Sequence, residues 1–342
     1  MEKLSLYIDG HETSIVIGRG LLGQLAGHSG GKLILLVDEN VFVLNPKAFE
    51  RFNCILIPQG EKQKSLAFVE TVFRKMVELE ADRTSFLVGI GGGLVTDLAG
   101  FVASTFMRGI PFGFVSTTLL GQVDASIGGK NGVNLDGYKN MIGIIRQPEF
   151  VWCDLDLLGT LEAKELRSGF AEVIKYGAIK DPELFEYLEK NQQAILSREP
   201  EALEKVVSRS ASIKVEIVTE DVSEHGDRKL LNFGHTLGHA IEKISGILHG
   251  EAIAIGMILA SRMSVNLGFL QASHEKRIEK LIFDSGLPLQ TAIGPGELFN
   301  TLLKDKKRSG TSIHFILLRR IGEAFIYKMD LDQLKKSIYD LY

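Results

Sequence analysis

The stretch SFLVGIGGGLVTDLAGFVASTF, residues 85–106, decides the fold of this chain. It opens with a short apolar run at 85–90, passes through a glycine-rich turn, and continues as a helical pattern at 94–106. An apolar run of this length next to a turn signal is typical of a buried strand. A strand that turns into a helix in this way presents backbone N–H groups to a phosphate. The stretch therefore predicts a strand–turn–helix unit with a nucleotide site at its turn.

Similar units surround this stretch. Further apolar runs with β-branched residues occur at 32–38, 54–58 and 111–118, and a helical pattern lies at 65–80. Alternating strands and helices predict a parallel sheet covered by helices. After about residue 150 the pattern changes to long amphipathic helices, with one β-hairpin predicted in SIHFILLRRIGEAFIY near the end. We therefore predict an α/β domain with a parallel sheet at 1–150 and a mainly α-helical domain at 151–342.

The glycine-rich turn departs from the usual dinucleotide-binding pattern. G-x-G-x-x-G read from Gly89 would require a third glycine at position 94, where the chain has Leu94. Asp38, at the end of an earlier predicted strand, is the candidate acid for a ribose. Glu61, Lys64 and the threonines of STT at 116–118 also fall at predicted strand ends, where open α/β sheets bind ligands. A dinucleotide is the predicted ligand, and a glycine turn without a ligand is the alternative.

A second informative segment, LLNFGHTLGHAIEKISGILHGE, covers residues 230–251. Two of its histidines are four residues apart and share a helical face, so both imidazoles can point to one metal ion. The glycine before each of them predicts close approach of another group to the helix. A carboxylate from SGFAEVIKYGAI would complete a histidine–carboxylate set with open positions, as catalytic zinc has. Spacing alone does not choose among His235, His239, His249, Glu172 and Glu251, and a purely structural histidine pair is the alternative.

Charge and composition limit the possible partners. The net charge is −4, so nothing global favours nucleic acid, and an anionic ligand requires a local basic cluster. Two distant cysteines without a CxxC indicate a reducing compartment, and no apolar run approaches the length of a membrane span, so we predict a cytoplasmic protein without a membrane partner. Lys130 is expected in a polar loop, 122–134, and Lys175 lies three residues after Glu172. Candidate anion-binding residues are Lys130, Asn131, Lys139, Asn140, Lys175, Lys214, Arg228 and the run at 304–308.

Several ordered motifs resemble the 3-dehydroquinate synthase family. They are GGGLVTDLAGF, FMRG, STTLLGQVDASIGGKNGVN, KNMIG, AEVIKYG, RKLLNFGHTLGHAIE and LHGE, and the likeness runs from about Asp38 to Lys307. The resemblance implies a Rossmann-like NAD-binding domain joined to a helical metal-binding domain, with a homodimer as the assembly. It also implies conversion of 3-deoxy-D-arabino-heptulosonate 7-phosphate into 3-dehydroquinate and phosphate, a lyase reaction of the shikimate pathway that leads to chorismate and the aromatic amino acids.

The resemblance assigns roles to individual residues. Zinc or cobalt would be bound by Glu172, His235 and His249, which leaves His239 to face the substrate. NAD+ would contact Asp38, Glu61, Lys64, Gly92, Gly93, Asp97, Thr117, Thr118, Lys139 and Thr160. The substrate would be surrounded by Asp124, Lys130, Asn140, Lys175, Lys214, Arg228, Asn232 and Lys306, with Arg108 reaching the site of the partner subunit.

The implied reaction recycles its cofactor. The metal polarises substrate hydroxyls, hydride passes to NAD+, phosphate leaves by elimination, and the hydride then returns. Three alternatives are a related sugar phosphate cyclase such as 2-deoxy-scyllo-inosose synthase, a metal-dependent polyol dehydrogenase of the glycerol dehydrogenase type, and a non-catalytic zinc- or nucleotide-binding protein. Arg228, Lys214 and Asn232, as a set that would bind a substrate carboxylate, favour 3-dehydroquinate synthase over the other cyclase.

Overall fold

The computed structural model describes residues 1–27, 31–136, 138–303, 308–309 and 312–342. The chain forms two compact units. The first unit comprises Met1–Glu162 and Leu203–Thr219, and the second comprises Ala163–Ala202 and Glu220–Tyr342. The predicted division at residue 150 therefore lies before the end of the first unit, because the next strand along the chain completes its sheet.

The described residues of the first unit form nine strands. They are β1 (Glu2–Ile8), β2 (His11–Gly18), β3 (Leu33–Asp38), β4 (Asn53–Ile57), β5 (Phe86–Gly91), β6 (Phe112–Ser116), β7 (Lys130–Leu135), β8 (Tyr138–Ile145) and β9 (Phe150–Asp154). Seven form one sheet in the order β1-β2-β9-β6-β5-β3-β4, in which β1 and β2 are antiparallel and the other neighbours are parallel. The predicted parallel sheet is confirmed.

The helices of this unit follow the predicted alternation. They are α1 (Glu39–Leu44), α2 (Pro46–Phe49), α3 (Leu66–Glu78) and α4 (Gly93–Thr105). Residues Leu203–Thr219, the greater part of the later helix α7 (Pro200–Glu220), also belong to this unit. The strand β5 is buried along its whole length, and α4 packs closely on it because Gly89 has no side chain. A Cβ at Gly89 would lie 2.6 Å from the Cβ of Ala99 on α4.

Sheet order identifies the ligand-binding edge. The chain passes from β3 outward to β4 and then returns to β5, from which it continues outward through β6 and β9. The order therefore reverses between the adjacent strands β3 and β5, and ligands of open α/β sheets bind beyond the carboxyl ends of the strands at such a point. Those ends are Asp38 on β3 and Gly91 on β5.

The predicted loop at 122–134 is wrong. It contains a π-helical turn at Gly121–Ala125 and then β7, which pairs with β8 in an antiparallel two-stranded sheet. Glycine belongs in this strand because the partner backbone is close: a Cβ at Gly132 would lie 2.8 Å from the carbonyl oxygen of Ile142. Glycine here permits close pairing of the two strands. Because glycine has a low β-propensity, such a strand is difficult to predict from the sequence.

The second unit is mainly helical, as predicted. Its elements are α5 (Ala163–Ile179), α6 (Pro182–Leu196), the ends of α7 (Pro200–Glu220), α8 (His235–Ser245), α9 (His249–Asn266), α10 (Ala272–Asp284), α11 (Pro295–Leu303), β10 (Arg308–Ser309), β11 (Ser312–Arg320), β12 (Glu323–Asp330) and α12 (Leu331–Tyr339). The predicted terminal hairpin is β11–β12. None of the helices in the described part of the chain has the length and apolar character needed to cross a bilayer.

Helices α8 and α9 approach each other through glycines. A Cβ at Gly256 on α9 would lie 2.0 Å from the carbonyl oxygen of Gly234, and a Cβ at Gly238 on α8 would lie 2.9 Å from that of Ala252. At the start of α9, a Cβ at Gly250 would lie 2.0 Å from the carbonyl oxygen of Ser168 on α5. These contacts involve backbone atoms, which a neighbouring rotamer change cannot relieve.

This packing predicts the effect of a methyl group. We expect Gly256→Ala to lower the free energy of unfolding by about 1–3 kcal/mol, because the helices must separate to accommodate it. Gly294→Ala is the control, since nothing lies within 4 Å of its Cβ position, and its change is expected to stay within about 0.5 kcal/mol. Urea denaturation measures both. Equal stability of the two variants would contradict the close-packing interpretation.

Candidate active site

The glycine-rich turn places an open helix N-terminus at the edge of the sheet. Gly92 is the N-cap of α4 and Gly93 is its first residue, so no side chain covers the first turn from these positions. A Cβ at Gly92 would lie 2.8 Å from Cγ2 of Thr118. The N–H of Thr117 donates to the carbonyl oxygen of Gly91 at 3.0 Å, which holds the end of β6 beside this turn. The arrangement can bind a phosphate at the helix N-terminus.

Lys64 and Asp97 form a buried ion pair beside this helix N-terminus. The Lys64 Nζ lies 2.5 Å from Oδ2 of Asp97, and the two side chains are 7% and 17% exposed. Burial raises the pKa of Asp97, and the ammonium of Lys64 opposes that rise. Two residues that are 33 positions apart in the chain are thus brought together by β4, β5 and α4.

Asn134, a residue that the sequence analysis missed, links the loop after β4 to the β7–β8 hairpin. Its Nδ2 donates to Oε1 of Glu61 at 2.8 Å, and its Oδ1 accepts the backbone N–H of Asn140 at 2.9 Å. Its own N–H donates to the carbonyl oxygen of Lys64 at 2.8 Å. Asn140 has a left-handed φ of 51°, a conformation in which this hydrogen bond helps to hold it. No sequence signal singles out Asn134, because it is one of several polar residues in a stretch that is predicted as a loop.

The remaining nucleotide candidates lie as follows. Asp38 caps α1, because its Oδ1 accepts the N–H groups of Asn40 and Val41 at 2.9 and 3.4 Å. Thr160 is exposed at the end of a 3-10 turn, Leu155–Thr160, and Lys139 is exposed on β8. The structure therefore groups Lys64, Asp97, Gly92 and Thr118 closely, and it gives Asp38 a capping role as well.

The π-helical turn positions Asp124 against α7. The Nζ of Lys214 donates to Oδ1 of Asp124 at 2.6 Å, and Lys214 is buried. Short π-helical segments are frequent at functional sites. In the same unit Lys130 is exposed at the first position of β7, and Arg108 is exposed in a turn where it and Met107 both have positive φ. Two consecutive non-glycine residues with positive φ strain the backbone, and such strain is typical of functional loops.

In the second unit, three helices bring a carboxylate and two histidines together. Oε1 of Glu172 on α5 lies 3.4 Å from Nε2 of His235 and 3.4 Å from Nε2 of His249, the first residues of α8 and α9. Donor atoms at tetrahedral positions around zinc are about 3.3–3.5 Å apart, given metal–ligand distances of about 2.0–2.2 Å. Both distances from the carboxylate oxygen to the imidazole nitrogens therefore match those between ligands of one zinc ion.

Glu172 is a buried carboxylate whose charge requires cationic neighbours. Glu172 has no solvent exposure, and no hydrogen bond of normal geometry reaches either carboxylate oxygen. A buried carboxylate without such bonds is costly unless a cation neutralises it. Lys175, one turn further along α5 and itself buried, forms an ion pair with Oε2. The second oxygen, which faces the histidines, is placed to bind a divalent metal.

The outer nitrogens of both histidines also have partners. Nδ1 of His235 lies 3.1 Å from the carbonyl oxygen of Phe233, and Nδ1 of His249 lies 3.2 Å from Oε2 of Glu242. Hydrogen bonds at Nδ1 leave Nε2 as the ligating atom. Glu251, which spacing had left among the candidates, instead accepts the N–H of Leu248 at 3.1 Å and caps α9.

The ionisable groups of this cluster shift one another's pKa values. Burial raises the pKa of Glu172, but the positive charges of Lys175 and His235 outweigh it and hold that pKa well below its ordinary value. Burial lowers the pKa of His235. Burial also opposes protonation of His249, yet the carboxylates of Glu172 and Glu242 raise its pKa to about 9. Glu172 is therefore ionised, as a metal ligand must be.

His239 forms a second possible set. One donor atom from each of His235, His239 and His249 lies within 4.8 Å of the others, so the three imidazoles can also bind a metal. The ring of His239 is centred 5.2 Å from that of His235 and 5.7 Å from that of His249. The geometry thus brings all three predicted histidines and Glu172 together, with His239 beside the group that surrounds Glu172.

A polar loop before α8 holds further candidates. Asp221 accepts the N–H groups of His225, Gly226 and Arg228 at 3.1, 2.7 and 3.1 Å. Buried Arg228 also donates from a guanidinium nitrogen to the carbonyl oxygen of Val222 at 2.6 Å.

In the same loop, Asn232 donates to Glu224 at 2.5 Å. Asp221 and Glu224 cannot be predicted from the sequence, because they lie seven and four residues before Arg228 in a stretch without a regular pattern. Lys306 lies outside the described residues.

Comparison with known proteins identifies the family of this chain. The sequence profile of the 3-dehydroquinate synthase N-terminal region matches residues 54–168, and that of its C-terminal region matches residues 169–308. A 3-dehydroquinate synthase of Pelobacter propionicus is 42% identical over 92% of this chain and 89% of its own length. One of Alkaliphilus metalliredigens is 40% identical over 99% of both chains.

Solved structures agree in fold. A 2-deoxy-scyllo-inosose synthase complexed with carbaglucose-6-phosphate, NAD+ and Co2+ has a TM-score of 0.88 at 25% identity, covering 99% of this chain and 100% of its own. The 2-epi-5-epi-valiolone synthase of Streptomyces hygroscopicus, with NAD+ and Zn2+ bound, has a TM-score of 0.89 at 27% identity over 98% of both chains. Because two profiles together span most of the chain and relatives of about 40% identity cover nearly all of it, the chain belongs to the 3-dehydroquinate synthase family.

Proposed function

We propose that this chain converts 3-deoxy-D-arabino-heptulosonate 7-phosphate into 3-dehydroquinate and phosphate. The observation that carries the proposal is the buried Glu172–His235–His249 cluster with Lys175 beside it, in a chain of this family. Eliminating phosphate breaks a carbon–oxygen bond, so the enzyme is a lyase. The product belongs to the route to chorismate and the aromatic amino acids, and a biosynthetic enzyme of this kind works in the cytoplasm.

The cofactors follow from the site and from similar proteins. Two similar solved structures hold NAD+ together with Co2+ or Zn2+. When bound, the divalent metal supplies Lewis acidity and NAD+ supplies a transient hydride acceptor. Glu172, His235 and His249 would hold the metal, because Oε1 of the buried Glu172 lies 3.4 Å from Nε2 of each histidine, a distance that suits two ligands of one ion.

The proposed nucleotide contacts are at the carboxyl ends of the strands, next to the switch point of the sheet. The open N-terminus of α4 at Gly92 and Gly93 would receive the pyrophosphate of NAD+. Lys64, paired with Asp97 beside this helix, and Thr117 and Thr118 line the same strand ends. Asp38 and Glu61, with Lys139 and Thr160 at the positions given above, complete the proposed contact set.

The remaining polar residues would bind and orient the substrate. Its phosphate and carboxylate require cationic partners, and the candidates are buried Lys175, Lys214 and Arg228 with exposed Lys130. Asn140, Asn232 and Asp124 would bind hydroxyl groups or position these cations, and Lys306 would be a further cationic partner of the substrate. His239, next to the metal cluster, would hold or transfer a proton at the substrate.

We also propose a homodimer in which Arg108 serves the site of the partner. All eight residues of β8 are at least partly exposed, and among the described strands only β7 pairs with it. Its apolar side chains Tyr138, Met141, Ile144 and Ile145 are 43%, 38%, 39% and 50% exposed. An exposed apolar edge strand is prone to association unless it is covered. A second copy of the chain would cover it.

A related sugar phosphate cyclase reaction is the second candidate, favoured by the fold similarity to 2-deoxy-scyllo-inosose synthase. Sequence identity favours the first candidate, because this chain is 42% identical to a 3-dehydroquinate synthase and 25% identical to the 2-deoxy-scyllo-inosose synthase. A substrate carboxylate is the chemical difference between the two reactions. Buried Arg228, which the Asp221 turn holds in place, suits that carboxylate.

A stoichiometric assay tests the reaction. Incubated with the heptulosonate phosphate, catalytic NAD+ and Zn2+, the protein is expected to release one phosphate per substrate without net accumulation of NADH, because the hydride returns within each turnover. Phosphate and NADH are measured in parallel. Steady NADH accumulation would indicate a polyol dehydrogenase, and turnover of a different sugar phosphate instead of the heptulosonate would indicate the related cyclase.

The ligand assignment predicts the effect of losing one histidine. We expect His249→Ala to weaken Zn2+ binding by at least about 100-fold, because one of three protein ligands is removed. NAD+ binding should survive. Chelator competition measures the metal affinity, and His225→Ala, which removes an exposed histidine, is the control. A variant that retains stoichiometric tightly bound zinc would refute the assignment.

Subunit mixing tests Arg108 and Lys175 together. We expect Arg108→Ala and Lys175→Ala each to lower phosphate release by about 100-fold or more, with metal content unchanged. If Arg108 acts on the partner's site, mixed dimers regain one intact site, and about one quarter of wild-type activity returns after random subunit exchange. Lys164→Ala, an exposed lysine at the start of α5, is the control. Absence of recovery in exchanged mixtures would place Arg108 in its own subunit's site.

A further inference from the structure

We propose that Glu242 is a positioning residue that orients His249 for the metal. The inference rests on the proposed role of His249 as a ligand. Glu242 lies on α8, seven residues after His235 and three after His239, so it extends the same helical face by one turn. Its Oε2 lies 3.2 Å from Nδ1 of His249, while Nε2 of the same ring lies 3.4 Å from Glu172. One carboxylate thus contacts each nitrogen of the ring.

The two histidines are held in different ways. His235 is buried and its Nδ1 contacts a backbone carbonyl only two residues away, so the local fold of the chain sets its orientation. The side chain of His249 is 26% exposed, against 9% for His235. Its Nδ1 partner is a side chain from another helix. The orientation of His249 therefore depends on Glu242 more than that of His235 depends on any single side chain.

The acid nearest in sequence to His249 cannot take this role. Glu251, two residues further along α9, accepts the backbone N–H of Leu248 and is used to cap the helix. Glu242 reaches His249 because α8 and α9 pack closely through their glycines. The side chain of Glu242 is only 11% exposed, which limits the competition of water for its carboxylate.

A carboxylate at Nδ1 has two separable effects on metal binding. As an acceptor it fixes the tautomer with the proton on Nδ1, which leaves the Nε2 lone pair for the metal. As an anion it strengthens this hydrogen bond and attracts a divalent cation. Glutamine retains an acceptor oxygen and loses the charge, whereas alanine loses both. The substitution series therefore separates orientation from charge.

The test measures affinity of the metal-free protein for Zn2+ or Co2+ by chelator competition. We expect Glu242→Ala to bind 10–100-fold more weakly, the usual effect of losing such a partner, and Glu242→Gln to fall between this variant and wild type. NAD+ affinity should not change. The matched control is Glu275→Ala: that carboxylate is 12% exposed in the same unit, but it pairs with Arg262 instead of a histidine. Its metal affinity should equal that of wild type.

The outcomes distinguish this inference from the proposed function. Wild-type metal affinity in Glu242→Ala, or an equal loss in Glu275→Ala, overturns the positioning role. If Glu242→Ala does not fold, Glu242→Gln decides, with a loss of about threefold or more expected because the charge-assisted bond is gone. If Glu172→Gln and His249→Ala also leave metal affinity intact, the ligand assignment itself fails.

Discussion

Glu172 is a carboxylate without solvent exposure, and the metal-binding part of the second unit is arranged around its charge. Burial of an unpaired carboxylate costs several kcal/mol, so cationic or dipolar groups must surround it. Lys175 supplies one such group from the same helix. Both histidines beside it are the first residues of helices, and helix N-termini carry partial positive charge. A single ionised group thus explains why three helices converge at this point.

Glycine makes this convergence possible. The histidines can share one carboxylate only if α8 and α9 approach more closely than side chains normally permit. The backbone contacts of Gly234, Gly238 and Gly256 provide that approach, and Gly250 brings the start of α9 against α5. Steric constraints on these glycines and electrostatic constraints on Glu172 therefore act on the same helices. The same helix packing therefore determines both the proposed metal site and the core of this unit.

The sequence predicts the structure best where a local pattern determines local structure. The buried strand and helix at 85–106 can be predicted because the spacing of their apolar residues is visible in the local sequence alone. The β7 strand was missed because its glycines serve a pairing partner that the local pattern does not reveal. Residue spacing also cannot decide whether Glu172 or Glu251 is the proposed metal ligand, since that depends on which acid caps α9. Glu242 and Asn134 were missed for the same reason: their partners are set by tertiary packing.

Three buried lysines show how an acidic chain can bind anions. An isolated lysine in sequence is usually a solvated surface residue, yet Lys64, Lys175 and Lys214 are buried. Each is paired with a carboxylate, Asp97, Glu172 and Asp124 respectively. Pairing offsets the cost of burying the ammonium before any ligand arrives and fixes its position. The net charge of −4 is therefore compatible with an anionic ligand, because recognition depends on ammonium groups held at fixed positions in poorly solvated surroundings.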